Sequence, residues 1–399
     1  MSSVAVYCLA LWLGAASQAA GSLEFKDDAA LDGRSVLQFR AIEFRTTPAK
    51  PLEGDPALGD GAQHGLLPVG PGPETGLAIV WLPHAAGGPE LWLDADGHGR
   101  LTGLERHALS GRELELPAWI TVQLEPEAVQ VERTVVFRRA SLGDGLRYAV
   151  RGYAQGSIEI GGRPLATVLI DGNADGCFNT VGQDRLWIDL DNDGRFGAIT
   201  EQFPLGKPLR HEGQTYVVRS DPLASSVVAS LRSAEQGKLS LTLAAKQNRN
   251  EKVRISAQLL SDLGELVAID QLDSETDVPT GEYHVSSLQL EMPDAAGETW
   301  LYSFYKDKGP QHRVQTGQRT QIVLLPDLLM HVTLPRQVGK IRPGDNVTIT
   351  PRLSASDGLV LRSCKVGKNQ EFRQAEPAAE ILLLSLDGRP ISRGVSGFS

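Results

Sequence analysis

Apolar and polar residues alternate along most of this chain in short runs, and few stretches carry a helical period. Period-two alternation broken by Gly, Pro, Asn and Asp predicts strands joined by tight turns. GLAIVWLP from Gly76, PELWL from Pro89, AWITVQLE from Ala118, LATVLI from Leu165, DRLWI from Asp184 and QTYVVRSD from Gln214 all read as strands. VERTVVFRRASLGDGLRYAVRGY from Val131 places alternating runs on both sides of a Gly-Asp-Gly turn, the signal of a hairpin. KVRISAQLL and ELVAIDQL flank Ser261 to Gly264 as another, and ILLLSLDGRPISRG holds a third around Asp-Gly. NVTITPRL and GLVLRSCKV add strands near the C-terminus, and the Gly/Pro-rich segment from Pro48 to Glu74 predicts a long surface loop.

One eleven-residue phrase occurs twice, LWLDADGHGRL from Leu91 and LWIDLDNDGRF from Leu186, identical at six positions. Each is a strand running into a loop with the spacing of a calcium site. A hard cation taking six to eight oxygens suits acidic or amide side chains at loop positions 1, 3 and 5, a Gly turn at 6 and a main-chain carbonyl at 7. The later copy supplies Asp189, Asp191, Asp193, Gly194 and the Arg195 carbonyl, with Phe196 as an apolar anchor at position 8. The earlier supplies Asp94, Asp96, His98, Gly99, the Arg100 carbonyl and Leu101, with Glu105 at position 12. VLIDGNADGCF, lying between them, gives Asp171, Asn173, Asp175, Gly176, the Cys177 carbonyl and Phe178 in the same order.

These loops resemble those of the EF-hand superfamily, including the dockerin-like versions of bacterial secreted proteins. The resemblance implies Ca²⁺ as the bound ion. Position 12 departs from it: Gly182 and Thr200 stand there in the second and third loops, so a late carboxylate has to come from Asp184 or Glu201, out of register. Each loop follows a strand where the family has a helix. Asp, Asn and Gly are also what ordinary tight turns require; three in-register loops with matching anchors favour the cation, because clustered carboxylates repel one another without one.

The repeat is longer than the loops. GLAIVWLP matches PLATVLID, and the distance from Leu77 to Asp94 is 17 residues against 24 from Leu165 to Asp189, the difference falling on the inserted second loop. Residues 21–150 and 151–250 therefore read as two related β units with one and two Asp-rich loops. Residues 251–338 read as a β-sandwich-like module, whose VPTGEYHVSSLQL resembles the turn and strand of transthyretin-like or carboxypeptidase-regulatory-like modules. Residues 339–399 read as strands, Ig-like or packed on that module. The expected fold class is mainly β: duplicated β units with strand-linked calcium loops, followed by β-sandwich-like modules.

The 399 residues, 41% hydrophobic with 42 Gly and 23 Pro, suffice for several cores. A net charge of -10 without a Lys/Arg cluster excludes a nucleic-acid role. Residues 1–20 carry the apolar run and small-residue end of a secretory signal peptide, although no Lys or Arg precedes the run. No later apolar run is long enough to span a membrane. Beyond the leader only Cys177 and Cys364 remain, too few for a disulfide framework. Asn346-Val347-Thr348 is a glycosylation sequon.

The histidines form no H-E-x-x-H or H-x-H group, and neither a G-x-S-x-G elbow nor a glycine-rich phosphate loop is present. His98 stands apart because it fills a calcium-loop position with a poor ligand for a hard ion. Two expectations follow. The first is a secreted, extracellular or periplasmic, non-catalytic calcium-binding β protein whose partner is a cell-surface protein or glycan. The alternative is an exported hydrolase or carbohydrate-binding protein with structural calcium.

Overall fold

A computed structural model of the chain describes residues 18–48, 61–72, 75–124, 127–141, 144–244, 253–294, 296–306, 309–333, 350–368, 371–374, 379–384 and 387–396. Most of the leader, much of the Pro48–Glu74 segment and the sequon lie outside them. The described secondary structure is strand, apart from 3₁₀ conformation at Thr75 and a short 3₁₀ turn at Gly103–Glu105. The fold is mainly β. Two compact units are present: one holds residues 1–196, 202–207 and 214–232, the other 197–201, 208–213 and 233–399. Both Asp-rich phrases lie in the first.

The first unit contains the duplication. One five-stranded antiparallel sheet runs in the order Phe44–Arg45, Gln63–Leu67, Leu77–Leu82, Glu90–Leu93, Arg106–Ala108. Its counterpart runs Gln18–Lys26, Tyr153–Ile160, Arg163–Ile170, Arg185–Ile188, Gln202–Pro204. The registers coincide. Gly65 pairs with Ile79 and Ile79 with Leu93 in one sheet; Gly156 pairs with Thr167 and Thr167 with Ile188 in the other. The Asp94 N–H donates to the Ala78 carbonyl at 3.0 Å, and the Asp189 N–H to the Ala166 carbonyl at 3.0 Å. The inserted second loop sits at a hairpin tip: residues 171–184 join the strands that residues 83–89 join in the first copy.

Three details differ from the sequence reading. Gln63–Leu67, inside the segment read as a long surface loop, is a strand of the first sheet, with Leu67 and Val69 fully buried. The strand that follows each Asp-rich loop in the sheet is a short one, Arg106–Ala108 or Gln202–Pro204, and precedes the longer AWITVQLE and QTYVVRSD strands. The outer strand of the second copy, Gln18–Lys26, comes from far away in sequence; its Ser22–Lys26 part pairs with Tyr153–Ser157, and residues 18–21 pair with 227–230. Residues 18–20, assigned to the leader by sequence, thus stand in a strand.

Alternation determines what each sheet buries. Leu77, Ile79, Trp81, Leu91 and Leu93 of the first sheet pack against Leu116, Ala118, Ile120, Val135, Phe137 and Tyr148. The latter belong to a four-stranded sheet ordered Glu113–Leu124, Glu127–Arg139, Leu146–Val150, Arg40–Ala41, which contains the expected Gly-Asp-Gly hairpin. On the opposite face Val80 and Trp92 hold Leu101, and in the second copy Val168 and Trp187 hold Phe196, the Trp187 and Phe196 ring centroids lying 5.9 Å apart. Position 8 anchors both loops.

The second unit is a sandwich. A three-stranded sheet, Thr276–Pro279, Gln236–Leu243 and Arg319–Leu324, covers a larger one that includes Arg254–Ser261, Leu266–Ile269, Gly281–Pro293 and Thr299–Tyr305. Leu239, Leu241, Ile322 and Leu324 meet Ile255, Leu259, Val267, Leu288 and Phe304 between them. The Tyr283 hydroxyl donates to the Pro279 carbonyl at 3.0 Å, fixing the corner of VPTGEY while the ring stays fully buried. The strand Val360–Lys368 pairs with Thr299–Tyr305, so the C-terminal segment joins this sheet through Tyr302 and Cys364.

Candidate metal centres

The Asp94 and Asp189 loops fold alike because the same backbone donors find the same acceptors. Asp94 Oδ1 accepts the His98 N–H at 3.0 Å and Oδ2 the Gly99 N–H at 2.9 Å. Asp189 Oδ1 accepts the Asp193 N–H at 3.1 Å and Oδ2 the Gly194 N–H at 3.0 Å. The position-3 aspartates do likewise: Asp96 takes the His98 N–H at 3.3 Å and Asp191 the Asp193 N–H at 3.2 Å. Gly99 and Gly194 both have φ of +79°, the left-handed turn that glycine adopts without a steric penalty. The first aspartate of each loop is buried beneath the turn, while positions 3 and 5 face outward.

Ligand atoms converge in both. One oxygen or nitrogen from each of Asp94, Asp96, His98 and Glu105 lies within 4.8 Å of all the others, and the same holds for Asp189, Asp191 and Asp193. Two oxygens on opposite sides of an ion bound at about 2.4 Å stand about 4.8 Å apart, so this spacing fits one cation of calcium's size. Glu105 is brought in by the 3₁₀ turn and also accepts the Thr102 N–H at 2.6 Å. The Asp191 carboxyl is raised from its ordinary range by burial and by the charges of Asp193 and Asp189. Arg100 and Arg195 stand at position 7, where the sequence assigns their carbonyls. Glu201 is buried, and its Oε2 accepts the Gly197 N–H at 2.5 Å.

The second loop is built differently. Its hairpin tip is driven into the core of the first sandwich: Ala174 and Cys177 belong to that core, Phe178 is buried, and the Gly70 N–H donates to the Asp175 carbonyl at 2.7 Å. Gly176 lies so close to Ile120 that a Cβ there would meet the Ile120 Cδ1 at 2.5 Å. Asp171, Asp175 and Asp184 are consequently 4%, 9% and 0% exposed. Asp171 accepts the Asp175 and Gly176 N–H groups at 3.2 and 2.7 Å, and Asp175 accepts the Cys177 N–H at 2.7 Å. Asp184 turns one oxygen to the Gly172 N–H at 3.0 Å and the other to the Thr180 N–H at 2.6 Å. Asn173 Nδ2 donates to Asp175 Oδ2 at 2.7 Å, whereas Asn173 Oδ1 is enclosed and without a hydrogen-bond partner.

Burial disfavours these charges. Asp171 is raised well above the ordinary aspartate range by desolvation and by Asp175 and Asp184, Asp175 is raised by desolvation, and desolvation pushes Asp184 up to about 7. The Cys177 thiol is raised too, by the same burial and the same three carboxylates, and is an inert core group. Among the described residues these carboxylates do not draw together to the spacing of the other two loops. Thr180, whose hydroxyl donates to Asp175 at 3.2 Å, was missed in the sequence because it falls outside the loop spacing.

No protein-family model matches the chain, and no curated protein matches it. Among solved structures, a leucine-rich repeat protein from Bacteroides thetaiotaomicron VPI-5482 matches at 9% identity with a TM-score of 0.19, over 54% of this chain and 24% of that one. The chain thus spans about a quarter of the length of that protein, and the likeness carries neither fold nor function.

Proposed function

We propose that this is a secreted, non-catalytic calcium-binding β protein in which the ion rigidifies loops between strands and supports an extracellular or periplasmic interaction surface. The observation that carries the reading is the pair of in-register loops at Asp94 and Asp189, each with converging ligand atoms within 4.8 Å on the same hydrogen-bonded frame. Three carboxylates at such distances repel one another, and a cation among them offsets that repulsion. The reading is carried by these two loops, because the buried Asp171, Asp175 and Asp184 carboxyls do not converge in the same way. The leader-like N-terminal sequence supports export.

Calcium supplies charge neutralisation and geometry here. The aspartate side chains and the carbonyls of Arg100, Cys177 and Arg195 would hold it. Affinity follows the number of charged ligands, so the dissociation constant is expected in the range of roughly 10⁻⁴ to 10⁻³ M found for extracellular modules. The test is a calorimetric Ca²⁺ titration of chelator-stripped protein. Saturable binding weakened by Asp189→Asn is the expected result; no heat beyond dilution up to tens of millimolar Ca²⁺ overturns the reading.

A further inference from the structure

A secretory peptidase that takes small side chains at −3 and −1 finds them at two places in the N-terminal segment, Gly14-Ala15-Ala16 and Ser17-Gln18-Ala19. The sequence does not separate these cuts; the sheet does. Gln18–Lys26 is one strand with two partners. Ser22–Lys26 pairs with Tyr153–Ser157, whereas Gln18, Ala19, Ala20 and Gly21 pair with Ser230, Ala229, Val228 and Val227. Val227–Ser230 is paired on its other side with Val217–Ser220, so residues 18–21 make it an interior strand, with Val227 and Ala229 buried. The crossing between partners is built into the chain. A Cβ at Gly21 would lie 2.5 Å from the Ser157 carbonyl oxygen, and one at Gly156 would lie 2.7 Å from the Ser22 carbonyl oxygen. Glycine at both places lets the backbones pass this closely, and the passage sets residues 18–20 along Val228–Ser230. A cut after Ala19 would remove two of the four pairs and put an α-ammonium group on Ala20 inside the ladder. Ala229 and Ser230 would become an open edge with unpaired N–H and C=O groups.

We propose that the leader is removed at the Ala16–Ser17 bond, so that the mature protein begins at Ser17 and keeps Gln18–Lys26 as a whole strand. The proposal rests on the reading that the protein is exported and goes beyond it by fixing where the mature chain starts. The step is a hydrolysis by a signal peptidase. Water adds across the Ala16–Ser17 peptide bond, residues 1–16 leave with a carboxylate on Ala16, and Ser17 keeps the nitrogen as an α-ammonium group. The apolar run Val4–Leu13 has the length such a leader needs, and Gly14-Ala15-Ala16 follows it directly. The new charge then stands one residue before the strand, and all four pairs with Val227–Ser230 survive.

The test expresses the full chain with its own N-terminus in a secreting host and reads the exported protein by intact mass and N-terminal sequencing, alongside Ala16→Leu and Ala19→Leu variants. The expected mature protein starts at Ser17. Ala19→Leu should leave that start in place, and Ala16→Leu should abolish it. A parent terminus at Ala20 or Ser22 overturns the proposal while leaving export standing, whereas an uncut chain retained in the cell overturns the export reading as well. Chains expressed directly from Ser17 and from Ala20 supply the structural arm: the shorter should melt at a lower temperature. Equal midpoints would show that Gln18 and Ala19 add nothing to the sheet, and would overturn the proposal on its physical ground.

Discussion

His98 Nδ1 occupies in the first loop the position that Asp193 Oδ1 occupies in the third, each facing the N–H of the residue two places on, Arg100 or Arg195. The backbone is the same and the accepting atom is not. The shared frame comes from the aspartate at position 1, which ties down the N–H groups of positions 5 and 6, and from the anchor at position 8. Position 5 is left free to vary in chemistry without altering the turn.

Calcium should raise the thermal stability of the protein. An ion bound only by folded loops stabilises by mass action, by about 1.4 kcal/mol per site at a tenfold excess over its dissociation constant. Magnesium should do much less, because it demands near-octahedral geometry and dehydrates reluctantly. Melting curves in chelator, magnesium and calcium check this; identical midpoints in all three would count against any folded-state calcium site.

Asp184 should matter to stability whether or not an ion is present. Its carboxylate closes the second loop by accepting the Gly172 and Thr180 N–H groups in a site with no access to water. Asp184→Ala strands both donors, each at a cost of about 1–3 kcal/mol. Denaturant unfolding in chelator should register that loss, whereas Asp184→Asn, which keeps a carbonyl acceptor, should lose less. Equal stability of Asp184→Ala and the parent in chelator would show that the loop does not depend on these bonds.

Through the buried carboxyls of the second loop, the metal-free protein should lose stability as the pH rises from mild acid to neutrality. Asp171, Asp175 and Asp184 all have folded-state values raised by burial, Asp184 to about 7 from an ordinary 3.8. A raised carboxyl leaves the unfolded chain binding fewer protons than the folded one, so its stability is fully present below about pH 4 and is lost as pH rises through about 7. Thermal melts in chelator from pH 4 to 7.5 should fall along that interval through this contribution. Asp184→Asn, which cannot ionise, should flatten the fall, and an unchanged slope in that variant would refute the assignment.

Two glycines of the loops should respond unequally to alanine. At Gly172 a Cβ would lie 1.8 Å from the Gln183 carbonyl oxygen, so the two ends of the second loop would have to part, at a cost of about 3 kcal/mol or more. At Gly194 the space is open, and only its left-handed φ of +79° opposes a side chain, at about 1–2 kcal/mol. Unfolding free energies of the two variants give the order directly. Gly194→Ala proving the worse would mean that the second loop is loosely closed.

The β class, the hairpins and the Asp94 and Asp189 loops were legible in the sequence because their interactions are local. The hydrogen bonds that shape each turn join residues two to five apart, and the alternation that buries Leu77, Ile79 and Trp81 on one face and Val80 on the other is written residue by residue. The duplicated register could be anticipated for the same reason, since seven extra residues at a hairpin tip leave the flanking pairs unchanged. Tertiary structure alone decided the rest. Nothing near Asp171 in sequence announces that Ile120 and Gly70 will close over its loop, burying Asp175 and Asp184 along with the first aspartate, whereas the other loops bury only the first and leave positions 3 and 5 exposed. Nor does any local pattern place Gln18–Lys26 beside Tyr153–Ile160, or pair Gln236–Leu243 in parallel with Arg319–Leu324. Such pairings depend on which apolar faces meet once the chain collapses. The same spacing, Asp at position 1 and Gly at position 6, can therefore describe an open turn or a sealed one.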